Sequence, residues 1–232
     1  MTERPILFSG EMVRAILDGR KTQTRRVITP GTALFDGSSW PKTRPPTDAA
    51  WDCAFVDPGP SPAGNRGPYL QLPFPKHDHE VHRIYPRIWA GDRLWVRETW
   101  ATTEQAGVHP SDAEFVYRAT DPAWGTEMVG WKWQPSIFMP RWASRLLLDV
   151  VSVRPERLQD ISEEDAKTEG VTTDKQRGTV NGEPADLYPM THKQSFMWLW
   201  DSINGKRPGC SWAANPWVWV VSFKRAEGAD HG

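Results

Sequence analysis

The first hydrophobic pattern in the chain is that of a short amphipathic helix near its start. The apolar positions that recur at helical spacing are Met12, Val13, Ile16 and Leu17. Ser9 precedes the helix as a candidate N-cap, and Gly19 follows it where a left-handed residue would end it. A polar segment, Gly19–Arg26, leads into a predicted strand over Thr24–Ile28. The polar segment is therefore expected at the exit of a helix.

Alternation of apolar and polar positions predicts strands in the middle and at the end of the chain. Over Arg93–Thr99, the side chains of Leu94, Val96 and Glu98 fall on one face. A carboxylate that ends an apolar inward face either pairs with an arginine or takes part in a site, and both interpretations stay open. Further strands are predicted at Phe115–Ala119, at Arg145–Val153 with Arg154-Pro155 as its end, and at Trp217–Phe223.

Two more helices are predicted in the second half of the chain. Ser162 begins a short helix as the first residue of a capping box, with Asp165 in place of the preferred Glu, and Gly170 closes it. An apolar helix is predicted around Phe196–Trp200. Together with the strands, these helices predict an α+β fold.

Two segments are predicted as long loop insertions, at about residues 29–86 and 172–189. The first is rich in Pro, Gly, Ser and Asp and has little periodicity. A chain of 232 residues is long enough for one well-buried core. We therefore expect a single domain over residues 1–232.

The composition indicates a reducing compartment and limits how the protein can hold nucleic acid. The formal net charge is −1, whereas binding of long nucleic acids by bulk charge requires a strongly basic domain, so any such contact must be local. Cys53 and Cys210 form neither a metal-type spacing nor a disulfide framework. No signal-peptide core and no run of about 20 apolar residues is visible. We expect a cytoplasmic protein without a membrane partner.

Fourteen tryptophans are far above ordinary usage. Tryptophans in dense apolar context are expected in the core, since a large ring buries much area. These are Trp198, Trp200, Trp217 and Trp219. Those beside charged residues are candidates for stacking on a nucleobase, with a structural role as the alternative, and they are Trp100, Trp131, Trp133 and Trp142.

The string Gly19-Arg20-Lys21-Thr22-Gln23-Thr24, preceded by a helix, resembles the opening signature of the ASCH family, which is related to the PUA-like β-barrels. Further segments resemble a bacteriophage and prophage branch of that family, and they are Arg4–Phe8, Gly91–Trp100, Met139–Arg145, Leu158–Ala166 and Asn215–Val220. The resemblance implies a small mixed β-barrel with packed helices, located in the host cytoplasm if the gene is of phage origin.

The resemblance also implies a reaction. In the ASCH proteins that are enzymes, N(4)-acetylcytidine is hydrolysed at its amide by a Lys, a Thr and a Glu, which match Lys21, Thr24 and Glu169 here. A lysine whose charge is disfavoured by burial can activate the threonine hydroxyl. A glutamate can orient the lysine or protonate the leaving amine. Residues three apart on a strand face opposite sides, so Lys21 must lie in the turn before the strand. The alternative is an ion pair between Lys21 and Glu169, with Thr24 an ordinary strand residue.

A pocket for a nucleobase or modified nucleoside is implied as well, without a cofactor. The candidate binding residues are Thr22, Arg26, Arg97, Glu98, Trp100, Tyr117, Arg141 and Trp142. The rival interpretation is a non-catalytic module for RNA or modified nucleotides, in which arginines, Arg25 and Arg145 among them, grip phosphates while a ring stacks on a base. A phage protein-interaction module is a third alternative.

Metal ligands are concentrated in one polar loop. His77, His79 and His82 lie within a few residues of each other, with Asp78 and Glu80 between them, and such N and O donors can bind zinc or nickel. Polar loops of this composition are common, so no metal site is predicted.

Overall fold

The computed structural model describes residues 2–29, 32–35, 51–59, 67–73, 81–102, 115–122, 132–173, 177–180, 183–186 and 191–226. Over these residues the fold is α+β and consists mostly of sheet. The described strands form open sheets rather than a closed barrel. None of the described helices combines the length and the apolar character that crossing a bilayer requires.

Three α-helices begin where the sequence supplies a cap. They are α1 (Gly10–Leu17), α2 (Glu163–Thr168) and α3 (His192–Asn204). The Ser9 hydroxyl accepts a hydrogen bond from the backbone N–H of Met12 at 3.4 Å, and Gly19 follows α1 with φ at 71°, so both predicted ends of this helix are confirmed. The Ser162 and Thr191 hydroxyls cap α2 and α3 in the same way.

Thirteen strands are present in the described ranges. They are β1 (Glu3–Leu7), β2 (Gln23–Val27), β3 (Ala33–Phe35), β4 (Phe55–Asp57), β5 (Tyr69–Pro73), β6 (Val81–Pro86), β7 (Arg93–Arg97), β8 (Trp100–Thr102), β9 (Phe115–Tyr117), β10 (Leu147–Arg157), β11 (Arg177–Val180), β12 (Glu183–Asp186) and β13 (Trp217–Arg225). The strand order is β1-β7-β10-β13-β2 in one sheet and β3-β6-β5-β4 in another, and β8–β9 and β11–β12 form two-stranded sheets. The predicted insertions therefore contain paired strands.

Strand β10 differs from its prediction. It continues past Pro155 to Arg157, although the sequence pattern placed its end at Arg154-Pro155. A proline is tolerated in a strand where the ladder does not need its missing N–H. The prediction treated Pro155 as a terminator, and that was wrong.

The chain forms two compact units. Unit 1 consists of Met1–Thr22, Gly91–Val150 and Phe223–Gly232, and unit 2 consists of Gln23–Ala90 and Val151–Ser222.

Unit 1 is organised around β7. This strand pairs in parallel with β1 and antiparallel with the start of β10, where Leu148 lies opposite Leu94. Leu94, Val96 and Glu98 are all buried, as expected from alternation, but Trp95, which alternation places on the other face, is buried as well. A carboxylate therefore ends the buried face of this unit.

Unit 2 contains the antiparallel pair β2–β13, in which Thr24 lies opposite Val221, and the helices α2 and α3. One hydrophobic cluster of this unit consists of Val27, Leu158, Ile161, Ala166, Phe196, Trp200, Cys210, Val218 and Val220. Trp200 and Trp219 are buried as predicted, whereas Trp217 is half-buried and Trp198 is 53% exposed. Two residues along an α-helix correspond to a rotation of about 200°, so Trp198 cannot share the buried side of Trp200. Its predicted core position was wrong.

Candidate functional site

A buried ion pair between Glu98 and Arg145 lies in unit 1. Glu98 follows β7 and Arg145 precedes β10, and the pairing of these strands brings the two residues together. Arg145 Nε and Nη2 donate to the two oxygens of Glu98 at 3.0 Å each, so the contact is bidentate. Burial raises the pKa of Glu98, and the hydrogen bond and charge of Arg145 oppose that rise. The carboxylate is thus held by one cation in a desolvated position.

The Arg145 guanidinium also stacks on an aromatic ring. Its Cζ atom lies 4.0 Å from the ring centroid of Tyr117, which is within cation–π range. The Tyr117 hydroxyl donates to the carbonyl of Ala143 at 2.9 Å, and burial raises the pKa of Tyr117. Arg145 Nη1 donates to Thr120 Oγ1 at 3.3 Å. Glu98, Tyr117 and Arg145 therefore form one connected group.

Next to this group is an aromatic surface formed by Trp100, Phe115 and Trp142, here named the Trp142 surface. The centroids of Trp100 and Trp142 are 6.2 Å apart with nearly perpendicular rings, and Phe115 lies 5.4 Å from Trp142. Trp100 is buried, but Trp142 is 67% exposed. Met139 and Ala143 pack beneath the rings. One indole is thus presented to solvent on a packed aromatic base.

Two predicted binding arginines also belong to unit 1. Arg97 donates from Nε to the carbonyl of Met139 at 3.1 Å, and its guanidinium lies 4.8 Å from the ring centroid of Trp95. Arg141 pairs with Glu3 at 2.8 Å, and this hydrogen bond lowers the pKa of Glu3. The side chains of Arg141 and Glu3 are 43% and 41% exposed. The pair of Arg141 with Glu3 is therefore accessible to solvent.

Lys21 lies two residues before β2, after the turn at Asp18 and Gly19. Its side chain is only 2% exposed, and Nζ lies 5.7 Å from the centroid of the Phe8 ring. Its backbone N–H donates to the carbonyl of Ala15 at 2.9 Å, which ties the turn to α1. Thr22 is exposed, and its carbonyl accepts from the backbone N–H of Phe223.

The other candidate catalytic residues belong to unit 2. Thr24 is buried on β2, and Glu169 follows α2 with 4% exposure. Glu169 Oε1 accepts a hydrogen bond from Arg25 at 3.1 Å. The neighbouring Arg26 is half-buried, and burial lowers its pKa against the opposing charge of Glu169.

Arg25 is the centre of an ionic group in unit 2, here named the Arg25 cluster, which consists of Arg25, Glu156, Asp165 and Glu169. The Arg25 side chain has no exposed area and contacts Glu156 at 2.9 Å, Asp165 at 3.1 Å and Glu169 at 3.1 Å. Arg154 contacts Glu156 and Asp165 from a more exposed position. Arg25 is thus enclosed by carboxylates and cannot grip a phosphate, contrary to the role considered from sequence.

Sequence reasoning missed several members of these groups. Asp165 was interpreted only as a capping residue, although its carboxylate also binds Arg25, and Glu156 was not considered. Met139 packs beneath the Trp142 surface and Phe115 belongs to it, and no sequence pattern singles out either residue. Trp131, His77 and His79 lie outside the described residues, and within the described ranges no three His, Cys, Asp or Glu side chains are arranged to hold a metal ion.

No family model, no curated protein and no solved structure matches this chain. The resemblance to the ASCH family therefore stays a prediction that depends on the motifs quoted above.

Proposed function

We propose that this protein binds a nucleobase, carried by a modified nucleoside or by RNA, on the Trp142 surface. The observation that supports the proposal is the 67% exposure of the Trp142 ring while Trp100 and Phe115 hold it from below. Indoles are normally buried, because exposing so large an apolar ring to water is unfavourable. Stacking of a base on such a ring contributes about 1–3 kcal/mol and tolerates different bases. The ASCH-type, PUA-like barrel, as a fold associated with RNA binding, belongs to the same proposal.

The charges around the surface support a nucleotide ligand. Arg97 and Arg141 lie in the same unit, and the Arg141 pair with Glu3 is largely solvated. A solvated pair contributes about 0–1 kcal/mol, so a phosphate can compete for this guanidinium. Because the whole chain has a net charge of −1, attraction to RNA has to come from local groups of this kind.

Two exposed tryptophans provide a matched test. Fluorescence anisotropy of a labelled single-stranded RNA would be measured with wild type, Trp142→Ala and Trp198→Ala. Trp142→Ala should bind the RNA about 5- to 150-fold more weakly than wild type, because it loses one stacked base. Trp198→Ala removes an exposed indole from α3 and should bind like wild type. Binding should also weaken as salt is raised. Equal affinities for the two variants would contradict the proposal.

The second candidate function is hydrolysis of N(4)-acetylcytidine-like amides. It is favoured by the burial of Lys21 and by its position outside β2, two residues before the strand begins. In this hypothesis the Thr24 hydroxyl attacks the amide carbonyl carbon, Lys21 accepts the hydroxyl proton, and the cytidine amine leaves with a proton. Water then cleaves the acyl-threonine ester and releases acetate. Glu169 would orient the lysine or supply the proton to the leaving amine.

Chromatography of N(4)-acetylcytidine incubated with the protein tests this second function. Cytidine should appear with wild type, and Lys21→Ala, Thr24→Ala and Glu169→Gln should each reduce its formation strongly. Trp198→Ala provides a control for the general effect of mutation. Absence of turnover together with RNA binding that depends on Trp142 would leave the binding function and remove the catalytic one.

A further inference from the structure

Unit 1 contains a cavity that the groups described above do not explain. Its volume is about 380 Å³, which lies in the range of small-molecule pockets. The lining residues are Ser9, Gly10, Glu11, Arg14, Thr99, Arg118, Ala119 and Pro122. All of them belong to unit 1, the unit that carries the Trp142 surface.

The cavity adjoins the candidate nucleobase site through two chain segments. In the first, Thr99 lines the cavity while the adjacent Trp100 belongs to the Trp142 surface. In the second, Arg118 lines the cavity while the adjacent Tyr117 stacks on Arg145. The two segments are joined, since the Arg118 N–H donates to the Thr99 carbonyl at 3.0 Å. The cavity and the Trp142 surface are thus built from neighbouring residues of two hydrogen-bonded segments.

The charged groups of the cavity suit an anion. Arg118 is exposed, and within the described part of the chain no carboxylate pairs with its guanidinium. Arg14 donates from Nη1 to the Ala119 carbonyl at 3.0 Å, an arrangement that fixes the side chain at the cavity wall. Against these two cations stands one lining carboxylate, that of Glu11. Guanidinium groups bind phosphate oxygens with short, charge-assisted hydrogen bonds.

We infer that this cavity receives the phosphate of a ligand whose base stacks on the Trp142 surface. The inference rests on the proposed function and narrows its ligand class to nucleotides, either as monophosphates or as residues of an RNA chain. A nucleoside without phosphate then uses only part of the site. Arg118 is the principal phosphate contact and Arg14 the second.

Calorimetric titration of the intact protein at low salt tests this directly, with N(4)-acetylcytidine, its 5′-monophosphate and inorganic phosphate as the three probes. The monophosphate should bind about 10- to 100-fold more tightly than the nucleoside, as expected for charge-assisted hydrogen bonds to phosphate. Arg118→Ala should lose this preference, and Arg14→Ala should reduce it. Arg207→Ala, which removes an exposed arginine from unit 2, should retain it.

The outcomes separate the two proposals. If nucleoside and monophosphate bind wild type equally, the cavity does not hold the phosphate, while nucleobase binding stands. A preference for the monophosphate that survives Arg118→Ala places the phosphate elsewhere and overturns the inference in the same way. If neither nucleoside nor monophosphate binds, nucleobase binding fails and the inference fails with it.

Discussion

In unit 2 the guanidinium of Arg25 is fully enclosed and contacts three carboxylates, whereas in unit 1 the guanidinium of Arg145 contacts the single carboxylate of Glu98. The Arg145 side chain is 18% exposed, and one of its faces rests on Tyr117. A buried arginine whose neighbours are several carboxylates compensates their charge and has no capacity for a ligand. In a pair of one arginine and one carboxylate, the carboxyl group can take up a proton and become neutral when the arginine is lost.

The largest effect is expected where three carboxylates depend on one cation. Arg25→Met should lower the free energy of unfolding by about 3–5 kcal/mol, the usual cost of removing one partner from a buried ion pair. Methionine fills much of the same volume, so the loss reports on charge more than on packing. Urea unfolding followed by tryptophan fluorescence measures it.

An exposed arginine provides the control for that prediction. Arg20 contacts Asp18 at 2.8 Å, with the two side chains 43% and 55% exposed. Arg20→Met should change the free energy of unfolding by about 0–1 kcal/mol. Similar losses for Arg25→Met and Arg20→Met would mean that the Arg25 cluster is not a stabilising centre.

A smaller effect with a distinct pH dependence is expected in unit 1. Arg145→Ala should cost about 1–3 kcal/mol at neutral pH, the value of hydrogen bonds to a charged group, because Glu98 can take up a proton. The pKa of Glu98 in the folded state is already raised above the ordinary value of 4.5. The folded state therefore keeps this proton up to a higher pH than the unfolded state does. The contribution of Glu98 to the free energy of unfolding falls as pH rises above 4.5. Loss of Arg145 raises the pKa further and extends that fall to higher pH.

Urea unfolding from pH about 4 to pH about 8 measures the difference in the free energy of unfolding between wild type and Arg145→Ala. This difference should be smallest at the acidic end and grow toward neutral pH. In a Glu98→Gln background, which cannot titrate, the same substitution should give a difference that does not vary with pH. A difference that stays constant in the Glu98 protein would show that the carboxyl group keeps its charge without Arg145.

The comparison also shows which features the sequence could reveal. The ends of α1 at Ser9 and Gly19 and the inward position of Glu98 depend on residues a few positions apart, and they were predicted correctly. The partners of Arg25 lie 131, 140 and 144 residues away along the chain. No local pattern distinguishes an arginine that will be enclosed by distant carboxylates from one that will face a ligand.

Tryptophan placement failed for a related reason. Trp198 has apolar neighbours and Trp142 follows an arginine, so local context placed only Trp198 in the core, although both rings are exposed. Their difference lies in what supports each ring, since Trp142 rests on Trp100 and Phe115 and these contacts depend on how strands β8 and β9 pair. The sequence therefore identified Trp142 as a candidate for stacking, but only the fold shows its support.

The ring beneath Arg145 offers a finer test of the unit 1 arrangement. Tyr117→Phe removes the hydrogen bond to the Ala143 carbonyl but keeps the ring, so the loss in unfolding free energy should be about 1 kcal/mol. Tyr117→Leu removes the ring as well, and should cost about 0.5–2 kcal/mol more through the lost cation–π contact. Thermal unfolding of the two variants side by side measures both terms. If Tyr117→Leu and Tyr117→Phe unfold alike, the ring does not support Arg145.

The smallest stability effect, and the one most informative about ligand binding, is expected at Glu3. Its pair with Arg141 is largely solvated, so Glu3→Gln should change the free energy of unfolding by about 0–1 kcal/mol. The same change removes the competitor that a phosphate must displace from Arg141, and RNA binding measured by anisotropy should become severalfold tighter. Glu164→Gln removes the same charge from an exposed position on α2 in unit 2, and separates a local effect at Arg141 from a general gain in positive charge. If Glu3→Gln tightens RNA binding and the added change Arg141→Ala abolishes this gain, Arg141 is a phosphate contact. An arginine that pairs with one solvated carboxylate can exchange that carboxylate for a ligand, whereas the enclosed Arg25 cannot.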